Sequence, residues 1–278
     1  MKAFRAERRY VDALGVRTAY HRAGCGPVLV LLHGSSPGAC SELNWFRNFD
    51  ALVDAGFDVL AIDQPGFGHS SVPQDHGIEF RYRHAAAVLH ALQVERAVLV
   101  GNSLGGLLAV LLHGRGREAG LRIDGLVLAA QFPHFEIPAQ TRTRMQQHLA
   151  RLSGVEPTAQ SVRALTANTL ANHENLTDEL LQLRLEMLAR TYEAHQARGR
   201  AGMEFDSQAI RAAPVAAPSL ILWGLDDHSL PAEIGIEAMK HFSEAEFVFL
   251  PRCGHWPQTE HAGHFNRLVG EFAQRVSV

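Results

Sequence analysis

With 278 residues, 46% of them hydrophobic and 20% charged, the chain is long enough for one α/β core carrying an insertion and too apolar for extended disorder. A net charge of −3 without a lysine or arginine run argues against nucleic acid and against an anionic membrane surface as partners. No apolar run approaches spanning length, the N-terminus lacks the apolar core of a signal peptide, and the three cysteines show no CxxC spacing, so a cytoplasmic protein with free thiols is expected.

In chain order, residues 9–23 alternate apolar and polar around Leu14-Gly15, which predicts an opening β-hairpin. Val28 to Leu32 is a continuous apolar run, as expected of a parallel strand buried on both faces, and it feeds the loop His33-Gly-Ser-Ser-Pro-Gly38. A helix is expected from Asn44 to Ala55, stopped by Gly56, then a strand at Val59–Ile62 and a helix from Arg81 to Leu92. The apolar run Ala97 to Val100 breaks at Gly101-Asn-Ser-Leu-Gly105 and resumes as a helix, apolar on every side. Gly125–Ala129, Ser219–Trp223 and Phe247–Leu250 read as further strands, and strands alternating with helices imply a mostly parallel, doubly wound sheet. Between about Phe132 and Arg211 strand-like runs vanish, and Pro138, Pro157 and Thr177 mark helix starts. The expected organisation is an α/β core over 1–131 and 212–278, with a helical lid, 132–211, over the carboxyl ends of the strands.

A strand that reverses into a helix within a few residues passes through strained backbone, and glycines on either side remove the Cβ atoms that would clash. Gly-x-Ser-x-Gly in that setting is a nucleophile elbow with Ser103 at its tip. A serine hydroxyl needs a base, and the base needs an orienting group, in the chain order Ser…Asp…His. After the 219–223 strand comes Gly224-Leu-Asp-Asp-His-Ser-Leu-Pro231, and after the 247–250 strand comes Pro251-Arg-Cys-Gly-His255. His255 is the expected base. Asp227, three past Gly224 and four before Pro231, is preferred to Asp226 as its orienter. Backbone N–H groups of Leu104, at the start of the elbow helix, and of Ser35, in the loop after the 28–32 strand, are the expected oxyanion donors. Sixteen histidines raise the question of metal, but there is no HExxH pair, and the closest spacing is His261 with His264; neither a metal nor a cofactor is expected.

Several stretches together resemble the meta-cleavage product hydrolases of the α/β-hydrolase superfamily. They are His33-Gly-Ser-Ser-Pro-Gly-Ala39, Asn44-Trp-Phe-Arg-Asn48, Asp63-Gln-Pro-Gly-Phe-Gly68, Gly101-Asn-Ser-Leu-Gly-Gly106 and Cys253-Gly-His-Trp-Pro-Gln258 with Glu260-His261 and Phe265-Asn-Arg267. The resemblance implies hydrolysis of a C–C bond in 2-hydroxy-6-oxohexa-2,4-dienoates, ring-fission products of aromatic and steroid catabolism, to a 2-hydroxypentadienoate and a carboxylic acid. It further implies an enol-to-keto tautomerisation assisted by the catalytic histidine, and a homodimer or larger assembly. Carried over by position, Asn44 and Asn102 would lie near the carboxylate and 2-oxo end, with Arg184 from the lid and Trp256 beside the histidine. Arg184 also stands out on its own, sharing a helix face with Leu180, Leu181 and Leu188, where a cation is costly unless it meets an anion.

Two stretches depart from the family pattern. Ser36 stands where the family usually has glycine, which would narrow the oxyanion loop, and Ala129-Ala-Gln-Phe-Pro-His-Phe135 replaces a glycine-rich stretch, so the pocket for the far end of the substrate should differ. The rival readings are a lidded serine carboxylic-ester hydrolase using the same triad, which would leave Arg184 and Asn44 without a task, and a ligand-sensing receptor built on the fold. A dehalogenase would need aspartate at the elbow.

Overall fold

A computed structural model describes residues 4–115, 120–153, 155–201 and 215–277. Eight strands form one sheet: β1 (Arg9–Ala13), β2 (Val16–Ala23), β3 (Val28–Leu32), β4 (Asp58–Ile62), β5 (Arg96–Asn102), β6 (Arg122–Ala129), β7 (Ser219–Gly224) and β8 (Ala245–Leu250), in the order β1-β2-β4-β3-β5-β6-β7-β8. β1 pairs antiparallel with β2 and β2 with β4; all other pairings are parallel. The apolar runs follow from burial on both faces. On β3, Leu29 and Leu31 join one core cluster while Val30 and Leu32 join the other, so no position along the strand tolerates a polar residue.

Helices α3 (Ile78–Ala91) and α4 (Leu104–Arg115) follow β4 and β5, while α9 (Ala232–Ala238), α10 (Pro257–Glu260) and α11 (Ala262–Val276) follow β7 and β8. Every α4 residue from Leu104 to Leu112 is buried, in keeping with its all-round apolar sequence. The single helix expected over Asn44–Ala55 is instead two short ones, α1 (Ser41–Trp45) and α2 (Phe49–Asp54). Cys40 starts α1 with its sulfur accepting from the Leu43 N–H, and Asn48 at the break sends its amide Nδ2 to the Gln258 carbonyl (2.9 Å) and to Asn266 Oδ1 (2.7 Å). That long-range demand on one asparagine outweighs helix continuity.

Between β6 and β7 lie α5 (Ala139–Ser153), α6 (Ala159–Thr169), a 3₁₀ turn (His173–Asn175), α7 (Asp178–Arg190) and α8 (Tyr192–Ala201). Thr158 and Thr177 cap α6 and α7 through their side-chain oxygens. Val162 of α6 packs with Leu181 and Leu188 of α7, and Leu180 packs on Cys40 and Leu43 beside α1. The expected end of the insertion at Arg211 lies outside the described residues. Among the described residues no helix is long and apolar enough to cross a membrane.

Candidate active site

The carboxyl ends of the parallel strands collect the candidate residues. β5 turns into α4 at Ser103, whose φ of 54° lies in the left-handed region. A Cβ on Gly101 would sit 2.4 Å from the Gly105 carbonyl oxygen, and one on Gly105 would sit 2.0 Å from that of Leu32, so glycine is required on both sides of the elbow. The elbow is tied to its neighbour strand, with the Ser103 N–H donating to Ala129 (3.0 Å) and the Ser103 carbonyl accepting from Phe132 (2.9 Å).

His255 follows β8 and Asp227 follows β7. Asp227 Oδ2 lies 2.8 Å from His255 Nδ1, and Asp227 Oδ1 accepts the N–H groups of Ser229 (2.8 Å) and Leu230 (2.9 Å). The aspartate is 4% and the histidine 7% exposed, so the pair is held in a low-dielectric setting with its geometry fixed from both ends. Asp226, by contrast, is exposed and uses its N–H on the Cys253 carbonyl. An imidazole whose Nδ1 faces a buried carboxylate presents Nε2 as a proton acceptor.

One cavity is lined by Ser103, His255, Ser35, Ser36, Pro37 and Arg184, together with Phe132 and residues of α5, α6 and the β7–α9 loop. Among the described residues the backbone N–H groups of Ser35 and Leu104 have no protein acceptor. Arg184, on α7, is 4% exposed and pairs with no carboxylate among the described residues. Its Nη2 donates to Ser36 Oγ (2.9 Å) and to the Pro37 carbonyl (2.7 Å), and its guanidinium carbon sits 4.7 Å from the centre of the Trp256 ring. Burial pulls its pKa down to about 10, which still leaves it charged at neutral pH. The serine that departs from the family's glycine thus holds the arginine.

The other carried-over residues stand one layer back. Asn102 uses Nδ2 on the carbonyls of Ala129 (3.0 Å) and His255 (3.2 Å), while its Oδ1 is buried without a partner. Asn44 is buried with Nδ2 unpartnered. Neither asparagine nor Trp256 lines the cavity, whereas the tryptophan supports the arginine that does. Among the described residues no group of three or more His, Cys, Asp or Glu could hold a metal ion.

Two features escaped the sequence reading. Glu260, at the end of α10, accepts three backbone N–H groups at 2.8 Å: Gly254 on Oε1, and Ala171 and Asn172 on Oε2. Together with the His255 N–H on the Thr169 carbonyl (2.8 Å), it ties the inserted helices to the histidine loop. His148, on α5, lines the cavity. Only Glu260 carried a signal, its place in the Glu-His pair after Gly-His-Trp.

A sheet of this order, with a strained serine at the β5–α4 turn and an Asp–His pair beyond β7 and β8, defines an α/β hydrolase, and a family model of the alpha/beta hydrolase fold matches residues 27–262. A 2-hydroxy-6-oxononadienedioate/2-hydroxy-6-oxononatrienedioate hydrolase of Burkholderia vietnamiensis is 35% identical over 95% of this chain and 93% of its own. A 2-hydroxy-6-oxo-6-phenylhexa-2,4-dienoate hydrolase of Comamonas testosteroni is 31% identical over 92% and 91%. Among solved structures, a meta-cleavage product hydrolase from Pseudomonas fluorescens IP01, complexed with acetates, superposes with a TM-score of 0.82 at 28% identity, covering 96% of this chain and 97% of that one. The chain belongs to the meta-cleavage product hydrolases of the α/β-hydrolase superfamily. An esterase from Thermogutta terrifontis, 23% identical with a TM-score of 0.77, shares the fold alone.

Proposed function

We propose that this protein hydrolyses the C5–C6 bond of a 2-hydroxy-6-oxohexa-2,4-dienoate, with Ser103 as nucleophile, His255 as base, Asp227 as its orienter and the N–H groups of Ser35 and Leu104 as oxyanion donors. The observation that carries this reading is Arg184: a buried cation without a carboxylate partner among the described residues, in the same cavity as Ser103 and His255. A substrate carboxylate supplies the missing charge. An apolar ester would leave it uncompensated.

With C1 held at Arg184, His255 assists transfer of the 2-hydroxyl proton to C5, giving the 2,6-dioxo-3-ene. Ser103 adds to C6 as its proton passes to His255, and the Ser35 and Leu104 N–H groups take the negative charge on the C6 oxygen. When that oxygen re-forms its carbonyl, the C5–C6 pair flows through C4=C3 onto the 2-oxo oxygen, which takes the proton from His255. Water then releases the acid from Ser103 by the same base. Asn102 positions rather than touches, holding the His255 and Ala129 carbonyls. Residues 132–211 serve as the lid, and the free thiols of Cys25, Cys40 and Cys253 suit a cytoplasmic setting.

The test follows loss of the yellow dienolate absorbance with phenyl, alkyl and carboxyalkyl ring-fission products. At least one should be consumed by the wild type and none at an appreciable rate by Ser103→Ala. Turnover of p-nitrophenyl esters with no loss of any dienolate would establish the ester-hydrolase reading instead. The named relatives differ at the end of the substrate remote from C1, one bearing a second carboxylate and another a phenyl group, so that end is set by each chain's own pocket.

A further inference from the structure

Resting on the proposed oxyanion hole, we infer that Gln64, on the loop after β4, is a positioning residue that aims the Ser35 N–H through His33. β3 and β4 pair in parallel as far as Leu32 and Ile62. Just past that pair, Gln64 joins the two chains twice. Its backbone N–H donates to His33 Nε2 (3.0 Å), and its side-chain Nε2 donates to the His33 carbonyl. A ring nitrogen that takes an N–H carries no proton, so the His33 proton sits on Nδ1, which donates to the Gly34 carbonyl at 2.6 Å. That carbonyl and the Ser35 N–H belong to one peptide unit, and in this trans peptide they point in opposite directions. Holding the oxygen against the His33 ring therefore turns the N–H away from it. Gly34 lies against the nucleophile, where an added Cβ would stand 3.2 Å from that of Ser103, and Ser35 lines the same cavity.

Gln64 is buried, and an amide taken out of water is costly wherever it is not hydrogen-bonded. Its Oε1, buried as well, takes no hydrogen bond among the described residues, so the site uses the donor end of the amide. Methionine would fill the same space without that cost, and without the donor. The loop that carries Gln64 is itself fixed from two sides. Arg81 of α3, buried, donates from Nη1 to the Pro65 carbonyl (3.1 Å), and Asp63 Oδ1 accepts the N–H (2.7 Å) and the hydroxyl (2.6 Å) of Ser41 at the start of α1. Phe67 of the same loop meets the His33 ring edge to face, with centroids 5.3 Å apart. The imidazole is thus held at both nitrogens and against Phe67, and the peptide it grips is held with it. A hydrogen bond on the Gly34 carbonyl also polarises that peptide and strengthens its N–H as a donor. Gln64 touches no reacting atom; it acts on the oxyanion through His33 and one peptide plane.

An oxyanion forms in any acyl transfer at Ser103, so the test uses p-nitrophenyl acetate and does not depend on C–C cleavage. Gln64→Met keeps the length of the side chain and the backbone N–H but removes the amide donor. Gln64→Glu keeps the shape and sets an acceptor against the His33 carbonyl. Loss of a whole oxyanion donor costs about 100- to 1000-fold in kcat, and a donor present but misdirected costs less. In Gln64→Met kcat should therefore fall about 10- to 100-fold with KM changed less than about threefold, and Gln64→Glu should lose more. Active sites are counted by stoichiometric phosphorylation with diethyl p-nitrophenyl phosphate, so that unfolded protein does not enter kcat. A trifluoromethyl ketone adds Ser103 and places its own oxyanion on the same donors, so its Ki should rise in the same ratio as kcat/KM falls. The corresponding trifluoromethyl carbinol cannot add the serine and should bind within about threefold of wild type. A loss of packing alone would weaken ketone and carbinol alike. That result, or a kcat per titrated site within about threefold of wild type, would overturn the positioning role; should Gln64→Met fail to fold, the same ratios are read from Gln64→Glu. A wild type that turns over the ester but no dienoate counts against C–C hydrolysis alone, since the ketone-to-carbinol ratio is read without it.

Discussion

Glu260 clamps the histidine loop to the inserted helices from outside the cavity. Its carboxylate touches neither Ser103 nor the cavity, yet it joins Gly254, one residue before His255, to Ala171 and Asn172 at the end of α6. A hydrogen bond to a charged acceptor contributes about 1.5–3 kcal/mol net when both groups are buried. Gly254 is buried, Ala171 half-buried and Asn172 exposed, so water replaces the last and part of the second. Glu260→Ala should therefore destabilise the fold by about 2–4 kcal/mol, which for a chain of this length is about 3–7 °C in Tm. The second consequence is catalytic. With the loop released on one side, His255 keeps its own N–H bond to Thr169, the Asn102 amide on its carbonyl and its ring bond to Asp227, but loses the clamp one residue before it. Displacement of a base by about 1 Å costs on the order of 100-fold, so kcat should fall about 10- to 100-fold with KM changed less than about threefold.

The assay is urea unfolding followed by circular dichroism, beside steady-state turnover of whichever dienoate is the best substrate. Glu260→Gln is the sharper variant, because an amide offers one acceptor where the site presents donors on both sides, and it can satisfy Gly254 or the α6 end but not both. Asp58→Asn, which weakens the half-buried fork from Arg22 at the far end of the sheet, provides a destabilised control whose kcat should hold. If Glu260→Ala loses stability but keeps the wild-type kcat, the clamp is structural only. If it loses neither, the three hydrogen bonds do not have the strength assigned here.

Two further predictions concern charge. Arg184→Gln should raise KM for the dienoate about 100-fold, the loss of one charge-assisted carboxylate contact, while p-nitrophenyl ester turnover changes less than about fivefold; equal losses on both would remove its carboxylate role. His84, His134 and His148 are each held neutral by burial, with pKa drawn from an ordinary value near 6.5 down to about 4. Between those limits the unfolded chain binds more protons than the folded one, so stability is complete above about pH 6.5 and is lost as the pH falls towards 4, by about 2 kcal/mol per histidine at pH 5. Urea midpoints from pH 7.5 to 4.5 should show the decline, and His134→Phe, which keeps the ring contacts to Phe135 and Phe242, should flatten it by about a third; a profile flat in the wild type would contradict all three assignments.

Much of the architecture could be read from local patterns because its causes are local. Strands buried on both faces must be continuous apolar runs, and the elbow must carry glycines wherever a Cβ would strike Leu32 or Gly105. What could not be read depends on which segment packs against which. The break between α1 and α2 is set by Asn48 reaching Gln258 and Asn266, more than two hundred residues away. Ser36 looked like a narrowing of the oxyanion loop, and its bond to Arg184 emerges only once α7 is laid across that loop. On α5 the buried positions Thr141, Met145 and His148 recur at helical spacing and mark the inward face, but that this face meets the cavity depends on how the helix is laid over the sheet. Asn102, placed near the carboxylate end by the resemblance, uses its Nδ2 on two backbone carbonyls and keeps Oδ1 unpartnered, an arrangement that depends on β6 and the histidine loop packing beside it.

These placements bear on why the site suits a dienoate better than an ester. Arg184 keeps its charge at a cost, since its polar and ring contacts among the described residues, Ser36 Oγ, the Pro37 carbonyl and the Trp256 ring, are neutral. Two of those contacts come from the segment that begins at Ser35, whose N–H is the proposed second oxyanion donor. The cation and the oxyanion donor are therefore fixed relative to each other by one turn of chain, itself closed by the Ala39 N–H on the Ser36 carbonyl at 3.0 Å. A substrate carboxylate seated on Arg184 is then held in register with the donors around C6, and its binding energy bears on the geometry of attack rather than on affinity alone. An ester lacking that carboxylate meets the same serine and the same donors without the register. The ratio of dienoate to ester turnover thus measures how well the arginine and the oxyanion loop are held together, and Ser36→Gly, which frees the guanidinium from one of its two hydrogen bonds without touching the triad, should lower that ratio about 3- to 10-fold, the worth of one such bond; an unchanged ratio would separate the arginine from the alignment of the carbonyl.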